Sequence, residues 1–341
     1  MPPQIISSKN ASELRQDLVS GDWVAIATAR AKRPNAFIEK KKRKFLQSKS
    51  ACPFEQFLSP RELLYARDGR EAADDWWIQA IPNKYPAFTR GACATPHTAG
   101  PYVWTEGVGF HEVIITRDHT RAIARMRQDE VEQIIRVYQE RMLAMYRDDC
   151  VKYVSIFHNH GSQAGATISH PHSQIIALPV VPPDVARSIR GSADYFHQHT
   201  ACVHCAMIAY ERKAGERLIY ENDYCLVLAP YASKTAFELR IFPKKHRARF
   251  EEVVAEERVS VADALRVSLA KLAGGLNDPD YNFFFHTAPV GAGKEEFGHY
   301  HWHIEIIPKT AIWAGFEIGT GIEISAIAPE DAAAFLKNIK V

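Results

Sequence analysis

Six short stretches of the chain alternate apolar and polar residues with the period of a β-strand, and two longer ones carry apolar residues at helical spacing. The first strand, Glu112-Val-Ile-Ile-Thr116, leads into Arg117-Asp118-His119, and a helix follows around Asp129–Tyr138. Tyr153–Phe157 then runs into His158-Asn159-His160-Gly161, and His170-Pro-His172-Ser-Gln174 opens a strand reaching Ala177. The same order returns further on. Strand Glu238–Phe242 leads to Pro243-Lys-Lys-His246, a helix follows around Val259–Val267, Tyr281–Phe285 runs into His286, and His301-Trp-His303 opens a strand to Pro308. His119 and His246 lie 127 residues apart, His170 and His301 131, and His172 and His303 131. Offsets this constant predict a duplicated unit. The expected fold is α+β, with an antiparallel sheet and packed helices in two similar halves. The proline-dense stretch Pro179-Val-Val-Pro-Pro183 puts the boundary between residues 1–179 and 180–341.

The chain's 341 residues exceed the size at which one core usually stops growing, consistent with two core units. A net charge of +2 is no basis for nucleic-acid binding. The basic run Lys40-Lys41-Lys42-Arg43-Lys44 reads as a solvated loop. No apolar run approaches the ~20 residues that span a bilayer. Met1-Pro2-Pro3-Gln4 lacks the basic and apolar regions of a secretory signal. Six cysteines in the company of histidines do not suggest a disulfide scaffold, so the expectation is a reducing, cytoplasmic setting.

Cys202-Val-His-Cys205 brings two thiols to the spacing of a short chelating loop, with His246 and His301 as the third and fourth ligands of a closed structural zinc site. A redox pair, or two ordinary buried thiols, are the other readings of that spacing. The first half offers Cys52, Glu55, His119 and His170, where a carboxylate stands in the second thiol's place. In the blander reading, Cys52 is a small core residue and Glu55 a surface carboxylate.

In His170-Pro-His172 the two imidazoles share one face of an extended segment, and the proline stiffens the backbone between them. With His170 held by a metal, His172 is left presented, and a neutral imidazole is a good nucleophile toward activated phosphorus. Gln174 points to the same side. The loop from Gly161 and Ser162 to Thr167, preceded by Asn159, has the glycines and hydroxyls to wrap phosphates with backbone N–H groups.

These elements, together with Arg30-Ala-Lys-Arg33-Pro34, Cys52-Pro-Phe54, Asn83-Lys-Tyr-Pro86, His119 and His301-Trp-His303, resemble the galactose-1-phosphate uridylyltransferase family of the histidine-triad superfamily. The resemblance runs from about Asp22 to Pro329 and implies two triad-like halves. It implies ping-pong transfer of a nucleoside monophosphate through His172, with Gln174 and Thr167 on the phosphates. Arg30 and Arg33 would reach the substrate as well, Arg30 from across a homodimer interface. Asn83 would stand at the nucleoside, and Phe316 and Glu317 at the sugar. The implied partners are a nucleotide sugar and either a sugar 1-phosphate or inorganic phosphate. His303 takes the nucleophile's place in the second half without a phosphate loop around it, so that half is expected to be silent. Three positions depart from the family pattern: Ser173 replaces a glycine, Glu55 a cysteine, and Lys84 an acidic residue near the ribose. Ser173 and the segment Gly315–Gly321 resemble the branch that includes ADP-glucose phosphorylase. The leading expectation is a hexose-1-phosphate uridylyltransferase; an ADP-sugar phosphorylase is its alternative. A nucleotide- or metal-binding protein without turnover would lack the nucleophile, which is present.

Overall fold

The computed structural model describes residues 12–27, 37, 47–55, 63–67, 70, 75–93, 95–290 and 297–341. The chain opens with β1 (Glu13–Gln16) and β2 (Trp23–Ile26). It continues with β3 (Leu63–Tyr65), β4 (Ile78–Pro82), a hairpin of β5 (His97–Ala99) and β6 (Tyr102–Trp104), and β7 (Phe110–Thr116). Helix α1 (Gln128–Met145) precedes β8 (Tyr153–His160) and β9 (His172–Leu178). Pro183 begins α2 (Pro183–His199), and α3 (Val203–Ala214) follows. Then come β10 (Leu218–Glu221), β11 (Cys225–Leu228), β12 (Leu239–Pro243), the long α4 (Ala255–Leu276), β13 (Tyr281–His286) and β14 (His303–Pro308). The chain closes with α5 (Gly315–Thr320), β15 (Glu323–Ser325), which joins β1 and β2 in a small sheet, and α6 (Pro329–Lys337).

Ten strands form one antiparallel sheet in the order β10-β11-β12-β14-β13-β8-β9-β7-β4-β3. The order is palindromic about the β13–β8 seam: β9 answers β14, β7 answers β12, and β4 answers β11. At that seam Phe283 faces His158 and Asn282 faces Asn159, so the sheet runs unbroken between the two halves. The strands form because β-branched and aromatic residues alternate along them. One face carries Val154, Ile156, Ile175, Ala177, Phe283, Phe285, Ile304 and Ile306 into the main core. Against that face lie α1, through Val131, Ile134, Ile135, Tyr138 and Met142, and α4, through Val261, Leu265, Leu269 and Leu272. The two helices bury the i, i+3, i+4 stripes that the periodicity predicted. The opposite face is left for chemistry.

The fold departs from the sequence reading in two details. Cys202-Val-His-Cys205 is the start of a helix rather than a free turn: Cys202 is the N-cap of α3 and Cys205 lies in its first turn. A disulfide joins Cys93 to Cys150, tying the segment before the β5–β6 hairpin to the α1–β8 connection. Sequence spacing carried no signal for that pair, because the cysteines are 57 residues apart and meet only through the fold.

Candidate active site

Strand β9 divides its motif between the two faces of the sheet. His172 and Gln174 project on the face away from α1 and α4, while Ser173 projects into the helix-covered face. There the Ser173 hydroxyl lies between the Tyr138 hydroxyl and His158 Nδ1, the latter at 2.9 Å. Ser173 is therefore a core residue, buried on the side of the sheet opposite His172.

His172 Nδ1–H donates to the His170 carbonyl at 2.9 Å. That bond places the ring's hydrogen on Nδ1 and leaves a lone pair on Nε2. Burial holds the His172 pKa below the usual imidazole range, partly offset by the bond to His170, so the ring stays neutral. Phe54 packs edge-on against His172 with centroids 5.1 Å apart. Cys52, Phe54, Ile81, Val113 and Ile115 form an apolar bed beside it. Gln174 Oε1 lies 2.8 Å from His111 Nε2, and the Asn83 amide nitrogen lies 3.0 Å from the same atom. The structure thus brings Asn83 and Gln174 together through a histidine that the sequence reading overlooked.

The loop after β8 turns at Gly161, whose φ of +84° and ψ of 161° are accessible essentially to glycine alone. A Cβ there would lie 2.1 Å from Asp280 Oδ1. Asp280 also accepts the Gln163 N–H at 2.6 Å, and His160 Nε2 lies 3.1 Å from Asp278. Asn282 donates to Asn159 Oδ1 at 2.7 Å and to the Ala164 carbonyl at 2.8 Å. Within the loop, the N–H groups of Ala164, Gly165 and Ala166 are bonded to loop carbonyls. Four backbone donors of the expected phosphate cradle are thus already committed. The exposed hydroxyl-bearing residues Ser162 and Thr167 remain as polar groups of the loop.

Beneath His172, the first candidate set of metal ligands converges. His119 Nδ1 and His170 Nδ1 lie 3.2 Å apart, Cys52 Sγ is 3.7 Å from His170 Nδ1, and Glu55 Oε1 is 3.1 Å from His119 Nδ1. His119 Nε2 donates to the Gln47 carbonyl and His170 Nε2 to the Thr116 carbonyl, at 2.8 and 2.7 Å. Both rings therefore turn their Nδ1 lone pairs inward, as metal-binding imidazoles do. The second set repeats the arrangement: Cys205 Sγ lies 3.4 Å from His246 Nδ1 and 3.5 Å from His301 Nδ1, with Cys202 Sγ 4.0 Å from His301 Nδ1. His246 Nε2 donates to the Gly298 carbonyl and His301 Nε2 to the Pro243 carbonyl. The hydrogen bond from Cys205, with further ones from nearby histidines, keeps Cys202 well below the usual thiol range, against the opposing effect of burial.

In the second half, His303 copies His172 down to the bond from Nδ1 to the His301 carbonyl, at 3.1 Å. The resemblance ends two residues on, where Glu305 replaces Gln174 and sets a carboxylate 3.5 Å from His303 Nε2. Although burial opposes it, the Arg240 guanidinium holds the Glu305 carboxyl well below its usual range. A carboxylate in that place repels a phosphate. A cavity of about 480 Å³ opens over this half, lined in part by Asn159, Asn282, His286, His303 and Glu305. Phe316 is half exposed on α5, and the Glu317 carboxylate accepts the Ala314 N–H at 3.0 Å. Arg30 and Arg33 lie outside the described residues.

A model of the galactose-1-phosphate uridyl transferase N-terminal domain matches residues 4–182. A second model, a domain of unknown function (DUF4921), matches residues 102–338. The ADP-glucose phosphorylase of Arabidopsis thaliana is 34% identical over 336 residues, covering 96% of this chain and 93% of that protein. This chain belongs to the galactose-1-phosphate uridylyltransferase family. Within the family it carries features of the ADP-glucose phosphorylase-like branch, and it is a nucleotidyl-transferring enzyme. The galactose-1-phosphate uridylyltransferase of Thermotoga maritima is 28% identical over 340 residues, covering 96% of this chain and 99% of that one. A crystal structure of the Arabidopsis thaliana ADP-glucose phosphorylase with bound ADP-glucose overlays with a TM-score of 0.82 at 31% identity, covering 97% of this chain and 100% of that one.

Proposed function

We propose that this enzyme moves a nucleoside monophosphate from a nucleotide sugar to His172 Nε2 and from there to a phosphate acceptor. The observation that carries the reading is the His172 ring, held neutral with its hydrogen on Nδ1 and its lone pair on Nε2. In the first step Nε2 attacks the phosphorus that bears the nucleoside. The N–P bond forms, the P–O bond to the sugar phosphate breaks, and sugar 1-phosphate leaves. In the second step an acceptor phosphate oxygen attacks the same phosphorus and the N–P bond breaks, returning His172 to its starting state. Gln174 and the Ser162 and Thr167 hydroxyls supply donors to the charge that develops on the phosphoryl oxygens.

For the donor and acceptor we favour an ADP-sugar and inorganic phosphate, giving ADP and sugar 1-phosphate. The higher identity to the Arabidopsis ADP-glucose phosphorylase than to the Thermotoga uridylyltransferase supports this choice, as does Lys84 where many uridylyltransferases carry an acid. Transfer of UMP between hexose 1-phosphates is the second reading, supported by the family match over residues 4–182. Incubation with ADP-glucose or UDP-glucose, each with phosphate or galactose 1-phosphate, separates the two by their products. Labelled nucleotide should attach to the chain and be absent from His172→Gly. Label on that variant would refute the intermediate.

We further infer that residues 1–179 form the catalytic half and 180–341 the supporting one. Zinc fits the Cys202, Cys205, His246 and His301 set, and the same inward turn of the rings supports a second ion at Cys52, Glu55, His119 and His170. An ion held by these residues would cross-link the segments that carry them, a structural rather than a substrate-binding role. His170 would thereby present a fixed carbonyl to orient His172. A homodimer would cover the exposed Ile312, Trp313, Phe316 and Ile318.

A further inference from the structure

We propose that His111 is a positioning residue for nucleotide transfer, holding the Gln174 carboxamide so that its N–H donors, rather than its carbonyl, face the phosphoryl group at His172. The inference rests on the His172 reading above and adds a residue to it. His111 lies on β7 two residues before Val113, which is the register partner of Gln174, so its ring shares Gln174's face of the sheet. His111 Nδ1 accepts the Ala87 N–H at 3.1 Å. A backbone amide cannot turn over, so this bond fixes the hydrogen of the neutral ring on Nε2. Nε2–H then donates to Gln174 Oε1 at 2.8 Å. With its oxygen engaged, the carboxamide is left to offer its two N–H bonds elsewhere.

A carboxamide is nearly symmetric in shape, and its two ends are distinguished by their hydrogen-bond partners alone. Without the His111 donor, Gln174 is free to turn over and present carbonyl lone pairs to phosphate oxygens. Asn83 Oδ1 accepts the Tyr85 N–H at 2.9 Å, which leaves the Asn83 amide nitrogen 3.0 Å from His111 Nε2. Both atoms carry hydrogens, so this is a contact and not a hydrogen bond, and the ring's tie to this segment is the Ala87 N–H. One ring thus ties the segment Asn83–Ala87 to the residue expected on the phosphate.

The test uses the full-length enzyme in four forms besides wild type: His111→Phe, His111→Gln, Gln174→Ala, and His111→Phe combined with Gln174→Ala. Single-turnover transfer of labelled AMP from ADP-glucose, and of labelled UMP from UDP-glucose, is measured alongside steady-state kcat and KM. His111→Phe should slow label transfer about 100-fold while changing KM by no more than about threefold, the pattern of a donor lost at the transition state. His111→Gln places an N–H donor near the same point and should recover at least about tenfold of that loss. In the Gln174→Ala background, His111→Phe should change the rate by less than about twofold, because no amide remains to be oriented. The proposal is overturned by a His111→Phe enzyme that transfers label at the wild-type rate, or by losses that multiply in the double variant. It is equally overturned if a folded His111→Gln enzyme is as slow as His111→Phe. A wild-type chain that takes label from neither nucleotide sugar refutes the His172 reading itself, and this proposal falls with it.

Discussion

Removing the Ser173 hydroxyl should cost stability and leave nucleotide choice untouched. Ser173 is 3% exposed, and Ser173→Ala keeps the Cβ but deletes the oxygen, leaving the Tyr138 hydroxyl and His158 Nδ1 without their partner on the helix-covered face. His158 Nε2 has no hydrogen-bond partner among the described residues, so the ring would be left with neither nitrogen satisfied there. Stranding buried polar groups costs about 1–3 kcal/mol each, so a total near 3 kcal/mol is expected. Across 341 residues the unfolding entropy is about 0.7 kcal/mol/K, which converts that loss to a Tm lower by about 4 °C. Ser173→Gly, the residue usual in the family, should fall about 1 kcal/mol further through backbone entropy. Scanning calorimetry gives the stability, and kcat/KM ratios for ADP-glucose against UDP-glucose give the preference. An unchanged Tm together with a preference shifted tenfold or more would show that Ser173 acts from the substrate side.

Gly161→Ala should lower kcat and Tm together, since the φ of +84° and the contact with Asp280 both resist a Cβ; an enzyme at wild-type kcat would mean the loop is not on the reaction path. Chelator treatment followed by metal analysis should release zinc and lower Tm, and Cys205→Ser should do the same; retention of full stability without metal would remove the cross-link. Acid should destabilise the protein. Burial keeps His158 well below its usual range, and burial first also takes His303 down, to about 3. The unfolded chain therefore binds more protons below about pH 6.5, and stability present above that pH is lost as the pH falls toward the folded values. Equilibrium denaturation at pH 7.5 and 5.0 measures the loss, and a lower midpoint at pH 7.5 would reverse the sign.

Much of the fold was legible because its periodicities are strong. The alternation at Tyr153–Phe157 and Tyr281–Phe285 and the helical stripe around Asp129–Tyr138 each became the expected element, some extended by several residues. Nearly equal histidine spacings exposed the repeat because a duplicated sheet must return the same residue to the same edge. His111 was not legible. It acquires meaning only when Val113 and Gln174 fall opposite one another, and pairing register is not written along a single strand. Ser173 was misleading for a related reason: adjacent strand residues face opposite sides, so its place between two site residues puts it away from the site. Asp280 and Asn282 stayed hidden because they act across the seam between β13 and β8.

That seam bears on how the two copies can diverge. In the second copy Glu305 stands where the first has Gln174, and a duplicate released from its original role is ordinarily free to drift. Here Asp278, Asp280 and Asn282 are hydrogen-bonded to the end of β8 and the loop after it in the first copy, and Asp280 fills the space a side chain at Gly161 would need. Constraint on the loop of the first half therefore reads through to residues of the second. Neither half can be exchanged for a homologous module unless the matching side of the seam travels with it.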